Sequence, residues 1–325
     1  MNTSSPLIRA AIVTAAIFGT ASQAAAQSYP TKQPRIVVSV VPGGNLDIIA
    51  RAVANGISDG LGKRVLVENR PGANSVIGID HVAKSPADGY TLLMISPSFT
   101  YAPYMTKSLP YDTLRDFTGV SLAAWIPQML LVTPSLAARN VKELISYAKA
   151  NPGKLDYGSS SLGSGSHIGM ELFKHAAGVA IVRIGYNGDA QALADLAGGH
   201  VSVKFDNFST AIPLVKGGKV RALGVSSPQR FSLLPDIPAI AETLPGFEAS
   251  IFNGVVAPAG VPKDVLARLH AEIARYTNNP EARKFFAEQG IELQASASPE
   301  QFTSFLAAEV ARSAKVIKDA GIVPE

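Results

Sequence analysis

The sequence contains no cysteine. Disulfide staples, thiolate nucleophiles and cysteine metal sites are therefore excluded. Charge is sparse as well: charged residues make up 17% of the chain, the formal net charge is +4, and Lys and Arg never run to more than two in a row. A nucleic-acid surface needs a clustered basic stripe, so that class is excluded, whereas a small positive balance suits small anions. The five histidines show no HxxxH or comparable spacing, which leaves no metal centre indicated. The phosphate-loop motif GxxxxGK[ST] is missing. Gly163-Ser164-Gly165 finds its third glycine at Gly169, one residue late for a dinucleotide fingerprint, and no GxSxG occurs in that loop. No cofactor is expected.

What is present is a globular composition, 47% hydrophobic over 325 residues, enough for two lobes of ordinary size. The run AAIVTAAIFGTA follows Arg9 and precedes SQAAAQSYP. Ala24 and Ala26 put small side chains where a signal peptidase needs them, so residues 1–26 read as a signal peptide cleaved before Gln27. A retained anchor is the alternative, against which the apolar run is short for a bilayer span.

Beyond Gln27, β-like and helical patterns alternate. RIVVSV, RVLVEN and YTLLMIS read as strands, and Leu46, Ile49, Val53, Ile57 and Leu61 recur at helical spacing after the first. A second series follows: a capping box at Asn140–Glu143 opens a helix, LDYGSS is a strand, Ser166 to Ala177 a helix, AIVRIG a strand, Gln191 to Ala197 a helix, and VSVKFD and RALGV strands. Val265, Leu266, Leu269, Ile273 and Tyr276 line a later helix, and Ser298-Pro-Glu-Gln301 caps the last one, with Gly321 at its far end. Strand–helix alternation predicts parallel sheets covered by helices, in two lobes. The chain is expected to cross between them around Trp125–Val132 and around Phe252–Ala257.

Ligands of parallel α/β sheets sit beyond the carboxyl ends of the strands, where helix starts offer unpaired N–H groups. Gly43-Gly44-Asn45 fits this in one lobe, and Gly158 to His167 (GSSSLGSGSH) in the other, with Gly185 to Ala190 and Phe205 to Ser209 as third and fourth turns. No Arg or Lys lies within these turns, so a carboxylate held there is expected to be gripped by amides and serine hydroxyls. Asp47 reads as a helix cap, a ligand contact or both. Asp206 and Asn207 read either as ligand contacts or as fasteners of neighbouring loops, and His167 as a cap or packed donor rather than a catalyst.

These turns resemble those of the tripartite tricarboxylate transporter receptors, the Bug-type periplasmic solute-binding proteins. The matching stretches include PGGNLDIIAR, VENRPGANSVIG, ADGYTLLM, LPYDTLRDF, GSHIGMELF, IGYNGDAQALADLAGGHV, GGKVRALGV and NGVVAPAGVPKDVLARL. The resemblance implies an α/β, type II periplasmic binding protein fold: two doubly wound lobes joined by two crossing segments, residues 27–125 with 253–325 and residues 126–252. It implies a periplasmic, monomeric receptor, not an enzyme, that takes a small organic carboxylate, mono- or dicarboxylate and aromatic acids included, to a two-component inner-membrane permease. Ligand contacts carried over are Val41, Pro42, Gly43, Gly44 and Asp47; Ser159, Ser160, Gly163, Ser164, Gly165, Ser166 and His167; Tyr186, Asn187 and Gly188; and Asp206 and Asn207. Ser96 and Ser98 are added for the far end of the ligand. The chain departs from the family at Val40, where an aromatic is common, at Asn187, where a basic residue is usual, and at Ser161, where glycine is common. Two other classes stay open: a secreted hydrolase using Ser164 or Ser166 with His167, and a sensor that passes its closed form to a signalling partner.

Overall fold

The computed structural model describes residues 29–160, 163–231 and 234–319. The expected signal peptide, its cleavage point, Ser161 and Gly321 lie outside the described residues. In chain order the elements are β1 (Arg35–Val38), α1 (Asn45–Leu61), β2 (Leu66–Asn69), α2 (Val76–Ala83), β3 (Thr91–Ile95), α3 (Pro97–Met105), β4 (Phe117–Ile126), β5 (Gln128–Val132), α4 (Val141–Ala150), β6 (Asp156–Ser159), α5 (Gly165–Ala177), β7 (Val182–Gly185) and α6 (Asp189–Gly198). They continue with β8 (Val203–Asn207), α7 (Phe208–Lys216), β9 (Arg221–Val225), β10 (Ile251–Pro258), α8 (Lys263–Thr277), α9 (Pro280–Ala287), β11 (Glu292–Leu293) and α10 (Pro299–Asp319).

The strands form two sheets, ordered β11-β4-β10-β3-β1-β2 and β7-β6-β8-β5-β9. Their central strands β1, β3, β4, β5 and β10 are buried on two faces and are largely apolar rather than alternating, whereas the edge strands β2 and β7 are partly exposed. In β1, Ile36 and Val38 enter one cluster with Ile49, Val53 and Ile57 of α1, while Val37 enters another with Phe99 and Phe302. In β5, Leu130 and Val132 pack with Tyr157 and Phe173, and Met129 and Leu131 with Leu196 and Phe208.

The expectation of parallel sheets holds for part of each sheet and needs correction in the rest. β2-β1-β3 and β7-β6-β8 are parallel, but β10 runs against β3 and β4, β11 against β4, and β5 against β8 and β9. The crossings explain this. β4 leaves the first sheet at its carboxyl edge, and after Pro127 the chain enters the second sheet as β5 from that sheet's carboxyl edge. An incoming strand must then run opposite to its neighbours. β10 enters the first sheet the same way, and is antiparallel for the same reason. The stretch Phe252–Ala257, expected as a crossing, lies inside β10. The chain reaches β10 after Ala249 N–H donates to Ser226 O (3.1 Å), beside Gln128 N–H donating to Ser226 Oγ (2.8 Å). Because the links join carboxyl edges, the turns after β1, β2 and β3 and those after β6, β7 and β8 border the same junction.

Candidate functional site

The turn after β1 presents an exposed ridge, Val41 to Gly44, with Val41 64% accessible. Gly43 has φ +93°, a conformation that side-chain-bearing residues rarely adopt. Gly44 is the N-cap of α1 and brings no capping side chain, so the first-turn N–H groups of α1 have no side-chain cap among the described residues and bear the helix's partial positive charge. A Cβ added at Gly44 would meet nothing within 4 Å.

Asp47 acts as a fastener here. Its Oδ2 accepts from Gly43 N–H (3.0 Å) and Arg51 Nε (3.0 Å), and its Oδ1 from Asn69 Nδ2 (2.9 Å). Burial opposes its ionisation, but the hydrogen bonds from Arg51, Gly43 and Asn69 outweigh it and hold the carboxyl below the usual carboxylate range. Asn69 Nδ2 also donates to Val40 O (3.1 Å), tying the end of β2 to this turn. The neighbouring turn carries three consecutive non-glycine residues at positive φ, Ala73, Asn74 and Ser75. After β3, Ser96 caps α3 without a side-chain bond, and its Oγ lies 3.0 Å from Ser98 Oγ.

The turn after β6 repeats the fastening with other atoms. Ser164 is the N-cap of α5 and its Oγ accepts from His167 N–H (3.3 Å), while His167 Nδ1 accepts from Gly163 N–H (3.1 Å). In both turns the third helical side chain takes the N–H of the residue before the cap. Glu143 on Arg139 N–H (2.7 Å) and Gln301 on Ala297 N–H (2.6 Å) repeat the arrangement at α4 and α10. Burial pushes the His167 imidazole down to about 4, so the ring is neutral and serves as an acceptor. The first-turn amides of α5, from Gly165 and Ser166, stay free of this capping.

The second sheet also holds a charged cluster that sequence reasoning missed. Asp189, the first residue of α6, accepts from Ser166 Oγ (2.7 Å) and Lys204 Nζ (2.7 Å) on Oδ1, and from Ser160 Oγ (2.8 Å) on Oδ2. Lys204 is fully buried and also donates to Phe205 O (3.0 Å) and pairs with Asp206 Oδ2 (3.2 Å). Burial opposes ionisation of Asp189, but the charge of Lys204 and the hydrogen bonds from Lys204, Ser166 and Ser160 hold its carboxyl below the usual range. The hydroxyls of Ser160 and Ser166, expected as donors to a ligand, thus donate to a carboxylate of the chain itself. Ser164 Oγ lies 3.1 Å from Ser166 Oγ. Asp206 Oδ1 accepts from Asn207 N–H (2.7 Å) and Thr210 Oγ1 (2.7 Å), so the loop-fastening reading fits it. Asn207 Oδ1 is buried with no hydrogen-bond partner among the described residues. Ser159 is buried and its Oγ accepts from Arg183 Nε (2.8 Å), whose Nη2 donates to Ser160 O (2.6 Å). Tyr186 turns its hydroxyl to Asp195 Oδ2 (2.8 Å), Asn187 is exposed, and Gly188 caps α6 with no side chain.

The structure therefore brings Ser160, Ser166 and Asp206 together around Asp189 and Lys204, and Gly43 together with Asp47. No hydrogen bond or ion pair among the described residues joins the Val41–Asp47 turn to the turns of the second sheet. Across the junction, a Cβ at Gly163 would lie 3.2 Å from Met105 Sδ of α3, and Tyr101 and Ile317 pack on Ile168 of α5. The signal for the missed pair was in VSVKFD: a lysine in the middle of an apolar strand, two residues before an aspartate, puts both on one sheet face, and a buried lysine needs a partner.

The sequence profile of the tripartite tricarboxylate transporter family receptors matches residues 49–322. The chain belongs to this receptor family. Among curated relatives of the receptor, the protein BugT of Bordetella pertussis is 36% identical over 93% of this chain and 94% of its own length. A protein encoded between tcbD and tcbE in a Pseudomonas species is 36% identical over 89% of this chain and 87% of its own length. Among solved structures, R. palustris Rpa4515 with adipate has a TM-score of 0.80 at 37% identity and covers 91% of this chain and 100% of that one. The periplasmic binding protein BugD has a TM-score of 0.77 at 31% identity, over the same shares. MatC of Rhodopseudomonas palustris with bound malate has a TM-score of 0.76 at 26% identity, covering 89% of this chain and 100% of that one. The receptor is thus a solute-binding protein of the periplasmic two-lobed type and not an enzyme. The hydrolase alternative also lacks its geometry, since His167 Nδ1 is taken by Gly163 and the Ser166 hydroxyl is directed at Asp189.

Proposed function

We propose that this receptor captures a small organic carboxylate between lobes formed by residues 27–125 with 253–325 and by residues 126–252. It then delivers the solute, as a monomer in the periplasm after cleavage before Gln27, to a two-component inner-membrane permease. The supporting observation is the pair of strand-to-helix turns before α1 and α5. Each caps its helix and leaves the following amides as donors, and both border the junction where the two sheets meet edge to edge. A carboxylate at such a helix start gains charge-assisted hydrogen bonds of about 1.5–3 kcal/mol each. Relatives solved with adipate and malate make mono- and dicarboxylates of four to six carbons the first candidates, with aromatic acids next.

The test is a thermal-shift and calorimetric screen of such acids against the wild-type receptor and Gly44→Val. A bound acid at a hundred times its Kd is expected to add about 2.7 kcal/mol to stability. A Cβ at Gly44 meets nothing within 4 Å, so valine there is expected to keep the fold, cover the first-turn amides and abolish binding. Unchanged affinity in that variant would remove the amide cradle from the proposal.

A further inference from the structure

Asp189 is the feature of the site that an amide-and-hydroxyl grip does not explain. Its carboxylate is 41% exposed, although it is bonded to a lysine that is completely buried. An ionised carboxylate accepts at about four lone-pair sites. Ser166 and Lys204 occupy two on Oδ1 and Ser160 one on Oδ2, which leaves an acceptor position on Oδ2 toward the open side.

The groups around it have lost their donors. Each serine hydroxyl carries one proton, and those of Ser160 and Ser166 go to Asp189, so toward anything else these oxygens only accept. Lys204 Nζ donates to Asp189 Oδ1 and Phe205 O and lies 3.2 Å from Asp206 Oδ2, and its burial keeps it from a solute. Asn207 Oδ1, at the end of the adjacent strand, is a further buried acceptor with no hydrogen-bond partner among the described residues. One ammonium thus lies against two carboxylates, and the described hydroxyls bonded to Asp189 have only acceptor capacity left.

We propose that Asp189, held in place by Lys204, Ser160 and Ser166, sets the receptor's specificity: it selects monocarboxylates whose other end carries a hydrogen-bond donor, a hydroxyl or an ammonium, and disfavours dicarboxylates. This rests on the carboxylate-receptor reading above. The amides before α1 take the carboxylate, and a donor at the far end fills the open position on Asp189 Oδ2. A second carboxylate there would meet the like charge of Asp189, while the nearby Arg183 already directs Nε to Ser159 and Nη2 to Ser160.

The experiment compares affinities within length-matched sets: adipate, hexanoate, 6-hydroxyhexanoate and 6-aminohexanoate, with the corresponding four-carbon set, by calorimetry on the wild-type protein and on Asp189→Asn. In the wild type, the donor-ended acid of the preferred length is expected to bind about tenfold or more tighter than the dicarboxylate. In Asp189→Asn that ratio is expected to fall to about unity or to invert. A wild-type ratio below about threefold overturns the proposal without any variant. A ratio that Asp189→Asn leaves unchanged overturns it too, as does a dicarboxylate whose tight binding is lost in Arg183→Gln. Binding of no carboxylic acid by the wild type defeats the receptor reading itself, which separates the two failures.

Discussion

At α1 the third helical residue is Asp47; at α5 it is His167. Each accepts the N–H of the glycine that precedes the cap, Gly43 in one turn and Gly163 in the other, at 3.0 and 3.1 Å. The hydrogen-bond geometry is the same and the electrostatics differ. Asp47 is an anion kept inside the first lobe, with a 4% exposed side chain matched by Arg51 and Asn69. His167 is a neutral ring, and the partly exposed carboxylate beside its turn is that of Asp189. The two turns therefore share a fastening and present unlike surfaces: bare amides in the first lobe, and amides beside a carboxylate in the second. Backbone shape sets the common function of a helix start. The side chain that surfaces next to it sets what the start will accept.

The largest effect expected from breaking this contrast comes from the two cations. Lys204→Met leaves Asp189 and the buried Asp206 without their counter-charge and should cost about 3–5 kcal/mol of unfolding free energy. Arg51→Met removes the partner of Asp47 from a half-exposed position and should cost less than about 1 kcal/mol. Urea unfolding of both variants measures the difference, and equal losses would erase the distinction between the turns.

Acid should separate the two fasteners. His167 has its folded pKa lowered from 6.5 to about 4, so between these values the unfolded chain binds a proton that the folded one does not. The associated stability is complete above pH 6.5 and is lost as pH falls toward 4, by about 3 kcal/mol. Asp47 and Asp189, whose pKa values are lowered from the carboxylate range, contribute above pH 4 and lose their contribution only below it. In His167→Gln, where the amide oxygen can accept as Gln301 does at α10, the urea midpoint should lose its step between pH 6.5 and 4. A step that persists in that variant would assign it to another group.

The smallest expected effect distinguishes the paired glycines of the first turn. Gly43→Ala forces a left-handed conformation and should destabilise by about 1–2 kcal/mol. Gly44→Ala, at φ −81° with open space around the new methyl, should stay within about 0.5 kcal/mol. Similar melting shifts for the two would mean that the ridge is not held by Asp47 as described.

Much of the fold was legible because its signals are local. The spacing from Leu46 to Leu61 and the capping residues at Asn140 and Ser298 mark helix α1 and the starts of α4 and α10 where the structure has them, and the helix expected from Ser166 is α5, capped by Ser164. Helices α2, α3, α7 and α9 went unread, α7 carrying Pro213 inside it. The start of α2 follows three left-handed residues without a side-chain cap, α3 contains Pro103, and α9 is short. Glycine turns could be read as helix starts, whereas the partner of each side chain could not. Gly43 and Asp47 are four residues apart, but Ser160 and Asp189 are twenty-nine apart and meet because β6 lies beside both β7 and β8.

By itself the sequence determined many of the elements, the glycine turns at helix starts and the membership in a receptor family, since periodicity, caps and motifs are properties of neighbouring residues along the chain. Only the tertiary structure decided that β5 and β10 run against their neighbours, that the serine hydroxyls face Asp189, and that Lys204 is sealed beneath it. Strand order and burial are set by which segments pack together, and the charge that a buried group can hold follows from that packing.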